Sequence, residues 1–131
     1  MKIVVTNNPQ VRDFLQNNKL EKQYDLCWVE GFIEDVLLKV RDLCHANHEL
    51  LTHPLTGSIK PNQTPYKTVV VEKTSTISNL ESIQMAEESL AKALSLLESW
   101  PRPESFKRYL DDFAIIDLDF LKSYLQGKGG A

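Results

Sequence analysis

Short β-branched runs alternate along this chain with longer stretches in which apolar residues recur at helical spacing. Ile3 to Thr6 reads as a buried strand; Asn7 or Asn8 then offers an N-cap, and Pro9 suits a first helical position. Val11, Phe14, Leu15 and Leu20 share one helical face, which predicts a helix over 9–18. Tyr24 to Glu30 reads as a second strand, broken at Gly31. From Phe32 the period turns helical again. Ile33, Val36, Leu37, Val40, Leu43, Cys44 and Leu51 share a face, so one long amphipathic helix is expected to end near Leu51. Thr68 to Glu72 is a third strand. The capping-box pattern Ser78-Asn79-Leu80-Glu81 opens a helix whose stripe is Leu80, Ile83, Ala86, Leu90, Leu94 and Leu97, stopped by Trp100-Pro101-Arg102-Pro103. A short helix over 104–110, a strand over 113–117 and a last helix over 118–125 complete the pattern.

Such alternation predicts one small three-layer α/β/α domain over residues 1–126. Its sheet of about four strands is expected to be mostly parallel, Rossmann- or flavodoxin-like. Apolar runs such as IVV, TVVV and AII fit strands buried on both faces. Residues 127–131, with three glycines, are expected to form a flexible tail.

Between the long helix and the third strand, residues 52–67 (THPLTGSIKPNQTPYK) hold three prolines and a glycine, which excludes a regular helix. Loops of this length inside a compact domain are often functional. Thr56, Gly57, Ser58 and Lys60 supply backbone N–H groups, hydroxyls and an ammonium that could hold a phosphate or carboxylate. His53, Asn62, Tyr66 and Lys67 flank them. Thr6, Asn7 and Asn8 sit where a parallel sheet binds ligands, at the carboxyl end of a strand before a helix N-terminus. In a parallel layout, however, the 52–67 loop would meet the third strand at the opposite end of the sheet. The plainer alternative for both segments is capping and turn formation.

Composition removes several function classes. A net charge of −3 is no footprint for nucleic acid. No run approaches the roughly 18 apolar residues of a membrane helix, and the apolar stretch after Met1 is too short for a signal peptide. A cytoplasmic chain with reduced Cys27 and Cys44 is expected. Cys44, His45, His48 and His53 match no zinc spacing, so neither metal nor cofactor is expected. Asp117, at the end of the 113–117 strand, is the one carboxylate to watch, and it could equally cap a helix. No nucleophile–base–orienter set is visible, which places an enzyme acting through His53 or Lys60 last. Trp100 and Arg102 form a candidate partner-binding corner.

The segment His53-Pro54-Leu55-Thr56-Gly57-Ser58-Ile59-Lys60-Pro61-Asn62-Gln63-Thr64-Pro65-Tyr66-Lys67 resembles the hallmark segment of the GrdX family. Val5-Thr6-Asn7-Asn8-Pro9 and Arg41-Asp42-Leu43-Cys44-His45 resemble it too, and the similarity spans most of residues 1–73. The resemblance implies an accessory protein, without an established biochemical role, of the glycine, sarcosine or betaine reductase systems of amino-acid-fermenting anaerobes. Reductase components are then the expected partners. A small anionic ligand, bound or sensed, is the alternative, and the oligomeric state is open.

Overall fold

The computed structural model describes residues 1–55, 60–74 and 79–129. Among these residues the elements run β1 (Lys2–Thr6), α1 (Pro9–Asn17), β2 (Tyr24–Trp28), α2 (Ile33–His45), β3 (His48–Leu50), β4 (Thr68–Lys73), α3 (Leu80–Ser99) and α4 (Leu110–Gly129). Turns of 3₁₀ helix cover Leu20–Lys22 and Glu104–Tyr109. The sheet order is β2-β1-β4-β3. β1 and β2 pair in parallel, whereas β4 runs antiparallel to both β1 and β3.

This overturns the expectation of a mostly parallel, Rossmann- or flavodoxin-like sheet: the α/β class stands, but the sheet is mixed and only one strand pair is parallel. Two local features produce the difference. The first is Asn47. It takes φ 65 just after the C-cap Ala46, and asparagine tolerates this left-handed conformation better than most residues. The chain therefore leaves α2 six residues before Leu51, and His48–Leu50 becomes an edge strand instead of a further helical turn. His48 Nδ1 lies 2.9 Å from the carbonyls of Leu43 and Ala46, where a donated hydrogen bond satisfies the frayed helix end. The connection 51–67 then links β3 to its antiparallel neighbour β4 as a wide hairpin, with Leu51 N–H still bonded to Val70 O at 2.8 Å.

The second feature is residues 113–117, which are helical. Ala114, Asp117, Leu118 and Leu121 are buried on one stripe of α4, while Ile115 and Ile116 are exposed. The apolar run AII straddles the edge of a helix stripe and does not form a strand. No glycine or proline interrupts residues 104–126, and Asp111 and Asp112 lie in the first turn of α4, where the helix dipole favours acidic groups.

β1 and β4 are the central strands, and their valines divide between two faces. Val4 and Val70 pack with Val11 and Leu15 of α1 and with Leu118 and Leu121 of α4. Val5, Val69 and Val71 pack with Val36, Val40 and Cys44 of α2 and with Ala86 of α3. β2 is an edge strand, so Cys27 is half-buried and not enclosed. Cys44 is enclosed, and burial pushes its thiol pKa up to about 11, which makes it a packing residue rather than a nucleophile. Asn79 caps α3 by accepting from Ser82 N–H at 2.9 Å; Ser78, the capping residue suggested by the sequence pattern, lies outside the described residues. The buried stripe of α3 is Ser82, Ala86, Ser89, Leu90 and Ala93, while Leu80 and Leu94 are exposed. Residues 130–131 of the expected tail are likewise undescribed. No helix among the described residues is long and apolar enough to cross a membrane.

Gly31 joins β2 to α2 at φ +120, and a Cβ there would collide with the Asp35 side chain. Asp35 Oδ2 accepts from Phe32 N–H at 2.8 Å, holding the first turn of α2. Gly31→Ala is therefore expected to lower stability by about 1–3 kcal/mol in chemical denaturation. An unchanged midpoint would show that this turn relaxes without cost.

Candidate functional site

Reversing β4 places its first residue against the last residue of β1, so that Thr6 pairs with Thr68. The 51–67 connection thus arrives at the same end of the sheet as the Asn7-Asn8 turn, the end it would miss in a parallel layout. A buried polar knot forms there. Thr68 Oγ1 donates to Asp117 Oδ2 at 2.6 Å. That hydroxyl has one hydrogen, so the 2.7 Å contact between the threonine oxygens must be a bond donated by Thr6. Thr6 Oγ1 in turn accepts from Asn8 N–H at 3.0 Å. The chain of donors ends on the Asp117 carboxylate, in the middle of α4.

Both asparagines are fully engaged. Asn8 Oδ1 caps α1 by accepting from Gln10 N–H at 3.0 Å, and its amide donates to Ala114 O at 2.9 Å and Asp117 Oδ2 at 3.0 Å. Asn7 donates to Gly31 O at 3.0 Å and to Pro65 O at 2.8 Å, and accepts from Lys67 N–H at 3.0 Å. One asparagine therefore ties the β2–α2 turn and the entrance to β4 to β1. The other ties α1 to α4.

Next to this knot a cleft is lined by Ile33, Leu55, Tyr66, Lys67, Phe113 and Asp117, among others; its volume of about 20 Å³ is room for a water. On the far side of Lys67 a cavity of about 140 Å³ is lined by Thr52, His53, Thr68, Phe120 and Tyr124, among others. Lys67 is 7% exposed. Burial lowers its pKa, and the charge of Asp117 opposes that shift. Burial raises the pKa of Asp117 against the hydrogen bonds from Thr68 and Asn8 and the charge of Lys67. Burial, with Asp111 nearby, also raises that of Tyr66.

The remaining residues singled out from the sequence scatter. His53 is exposed, and its Nδ1 accepts from Leu55 N–H at 2.9 Å. Lys60 is exposed, and its N–H bonds Gln63 Oε1 at 3.0 Å. Asn62 Oδ1 is buried without a partner among the described residues. Thr56, Gly57 and Ser58 lie outside the described residues. The expected partner-binding corner divides. Trp100 is 67% exposed, but the Arg102 side chain is turned inward. Its guanidinium donates to Pro61 O at 2.8 Å, meets Glu34 at 3.3 Å and lies 4.8 Å from the Phe32 ring centroid. Arg102 is a tie between the loop, α2 and the segment before α4. Cys44, His45, His48 and His53 do not converge, and no metal-binding group of three His, Cys, Asp or Glu occurs among the described residues.

Thr68 was not visible as a site residue, because a threonine opening a strand is ordinary. Asp117 was visible as a carboxylate but on the wrong element. Its spacing from Ala114, Leu118 and Leu121 was the available signal.

These features define a small mixed-sheet α/β protein whose one sheet end is closed by a buried polar knot beside a lysine-lined cavity. The family model of GrdX-like protein matches residues 3–126, and the chain belongs to that family. The match reaches through α3 and most of α4, well beyond the segments at 5–9, 41–45 and 53–67. No curated protein and no solved structure matches the chain.

A raised Asp117 pKa means that the folded chain holds a proton the unfolded chain has released, between about pH 4 and the native pKa. The stability this group contributes is greatest in acid and falls as pH rises through the native value. Asp117→Asn keeps an acceptor without the titration. Its stability relative to wild type should therefore increase from about pH 4 to about pH 7 in urea titrations. A difference that stays flat across that range would mean the carboxyl titrates as it does in the unfolded chain.

Proposed function

We propose that this chain is a non-catalytic accessory protein that docks onto a component of a glycine, sarcosine or betaine reductase system in the cytoplasm of an anaerobe. Membership of the GrdX-like family supports the association with such systems. The observation that carries a docking role is the apolar surface beside the 60–67 segment. Phe32, Tyr109, Ile116 and Phe120 are between 37% and 51% exposed; Tyr109 lines a groove with Gln63, Pro103, Phe106 and Phe113, Phe32 meets Phe106 edge to face, and Trp100, two residues before Arg102, is 67% exposed. Exposed apolar side chains that cluster in this way favour a macromolecular partner. Exposed Trp and Tyr are the residue types that most often carry binding energy.

Arg102 serves this reading indirectly. It holds Pro61 beside Phe32 and Phe106, so the 60–67 segment and the aromatic surface are tied together before a partner arrives. Rigidity before binding reduces the entropy lost on docking.

The test is an anaerobic capture of tagged protein from a glycine-fermenting lysate, read by mass spectrometry, followed by affinity measurement with the recovered reductase subunit. Trp100→Ala and Tyr109→Ala each remove an exposed ring without disturbing the core. Each is expected to weaken binding by about 2 kcal/mol, roughly 30-fold, at unchanged melting temperature. Failure to retain any reductase subunit under low salt would remove the docking role.

A further inference from the structure

We propose that β2 is the pairing edge of a symmetric homodimer: two copies of this chain join antiparallel about a twofold axis through Leu26, and their sheets become one. This goes beyond the docking role and does not depend on it, since it rests on the main-chain groups of an edge strand and not on the aromatic surface.

The two edges of the sheet differ. β3 is three residues long, and Leu50 N–H is taken by Ser82 Oγ of α3 at 3.0 Å. Short length and a covering helix keep an edge from pairing. β2 is five residues long and contains no proline and no lysine. Its register against β1 runs unbroken from Lys2↔Tyr24 to Thr6↔Trp28, so no bulge turns it aside.

One bond decides which of its backbone groups face outward. Val29 N–H donates to Thr6 O at 2.9 Å, so Val29 directs its N–H and C=O toward β1. Direction alternates along a strand. Cys27 and Asp25 therefore also bond β1, while Tyr24, Leu26 and Trp28 direct their N–H and C=O away from the sheet. Among the described residues no loop backbone and no side chain bonds these outward groups.

The outward positions are symmetric about Leu26. In an antiparallel pair centred there, Leu26 faces Leu26, and Tyr24 of each copy faces Trp28 of the other. All are hydrogen-bonded pairs, so every outward N–H meets an outward carbonyl. Moving the axis to Asp25 or Cys27 leaves one of the three outside the other copy's strand. The side chains agree with this register. Leu26 is 37% exposed and covers its own copy, and Tyr24 with Trp28 forms an aromatic cross-strand pair. Asp25, the one charged residue of β2, lies opposite Cys27, so the two carboxylates are diagonal and do not face each other. The same patch is then used on both copies, as a twofold interface requires.

The test is sedimentation velocity of the full chain over a micromolar concentration series, where a monomer–dimer equilibrium is expected. Leu26→Pro deletes the N–H donors at the axis and none directed at β1, and proline is tolerated on such an edge. It should weaken the dimer roughly 30-fold with the far-UV circular dichroism unchanged. A second variant reads the register directly. Asp25→Cys sets a thiol opposite Cys27 of the other copy at the roughly 4.5 Å Cα spacing of a non-hydrogen-bonded pair, within disulfide reach. Mild oxidation should give an intermolecular disulfide between positions 25 and 27, located by peptide mapping. A monomer throughout the series overturns the proposal and leaves the edge to a strand of another protein. A dimer that a folded Leu26→Pro leaves intact, or the absence of the 25–27 cross-link, overturns it as well.

Discussion

The antiparallel seating of β4 against β1, closed at one end by the Thr6–Thr68 hydroxyl pair, is the constraint on which the rest of this structure depends. A carboxylate such as Asp117 is costly to bury unless donors meet it. Here the donors come from Thr68 at the start of β4 and Asn8 after the end of β1, and the two segments meet only because the strands run in opposite directions. Thr6 and Asn7 complete the knot, so α1, α4, the β2–α2 turn and the 51–67 connection all converge on one sheet end.

That convergence gives the long connection its setting. It is pinned at Pro65 and Lys67 by Asn7 and at Pro61 by Arg102. The Lys67 side chain is thereby held between a water-sized cleft and a larger cavity, while the outer side of the same region presents Trp100, Tyr109 and Phe120 to solvent.

Several parts of this arrangement were legible in the residues. An asparagine cap before Pro9, the strands read from Ile3, Tyr24 and Thr68, and the long helix before Trp100 follow from local rules that tertiary contacts do not override; the structure selects Asn8 as the cap and opens the first strand at Lys2. Strand direction does not follow from such rules, because a run such as TVVV reads the same either way. The Asn47 exit from α2 was a weak cue hidden inside an apolar period that Leu51 extends by coincidence. The 113–117 run misled because Ile115 and Ile116, although exposed, carry the composition of a strand. The candidate site was half visible: its loop and turn stood out, but the link between them through Asp117 required a helix where a strand was expected.

The most direct test of this account is a double-mutant cycle between Thr68→Val and Asp117→Leu, measured by urea denaturation. A hydroxyl bonded to a buried carboxylate across strand and helix predicts a coupling of about 1–2 kcal/mol. Additivity within about 0.5 kcal/mol would mean that the two residues do not meet, and the arrangement of β4, α4 and the loop described above would be wrong.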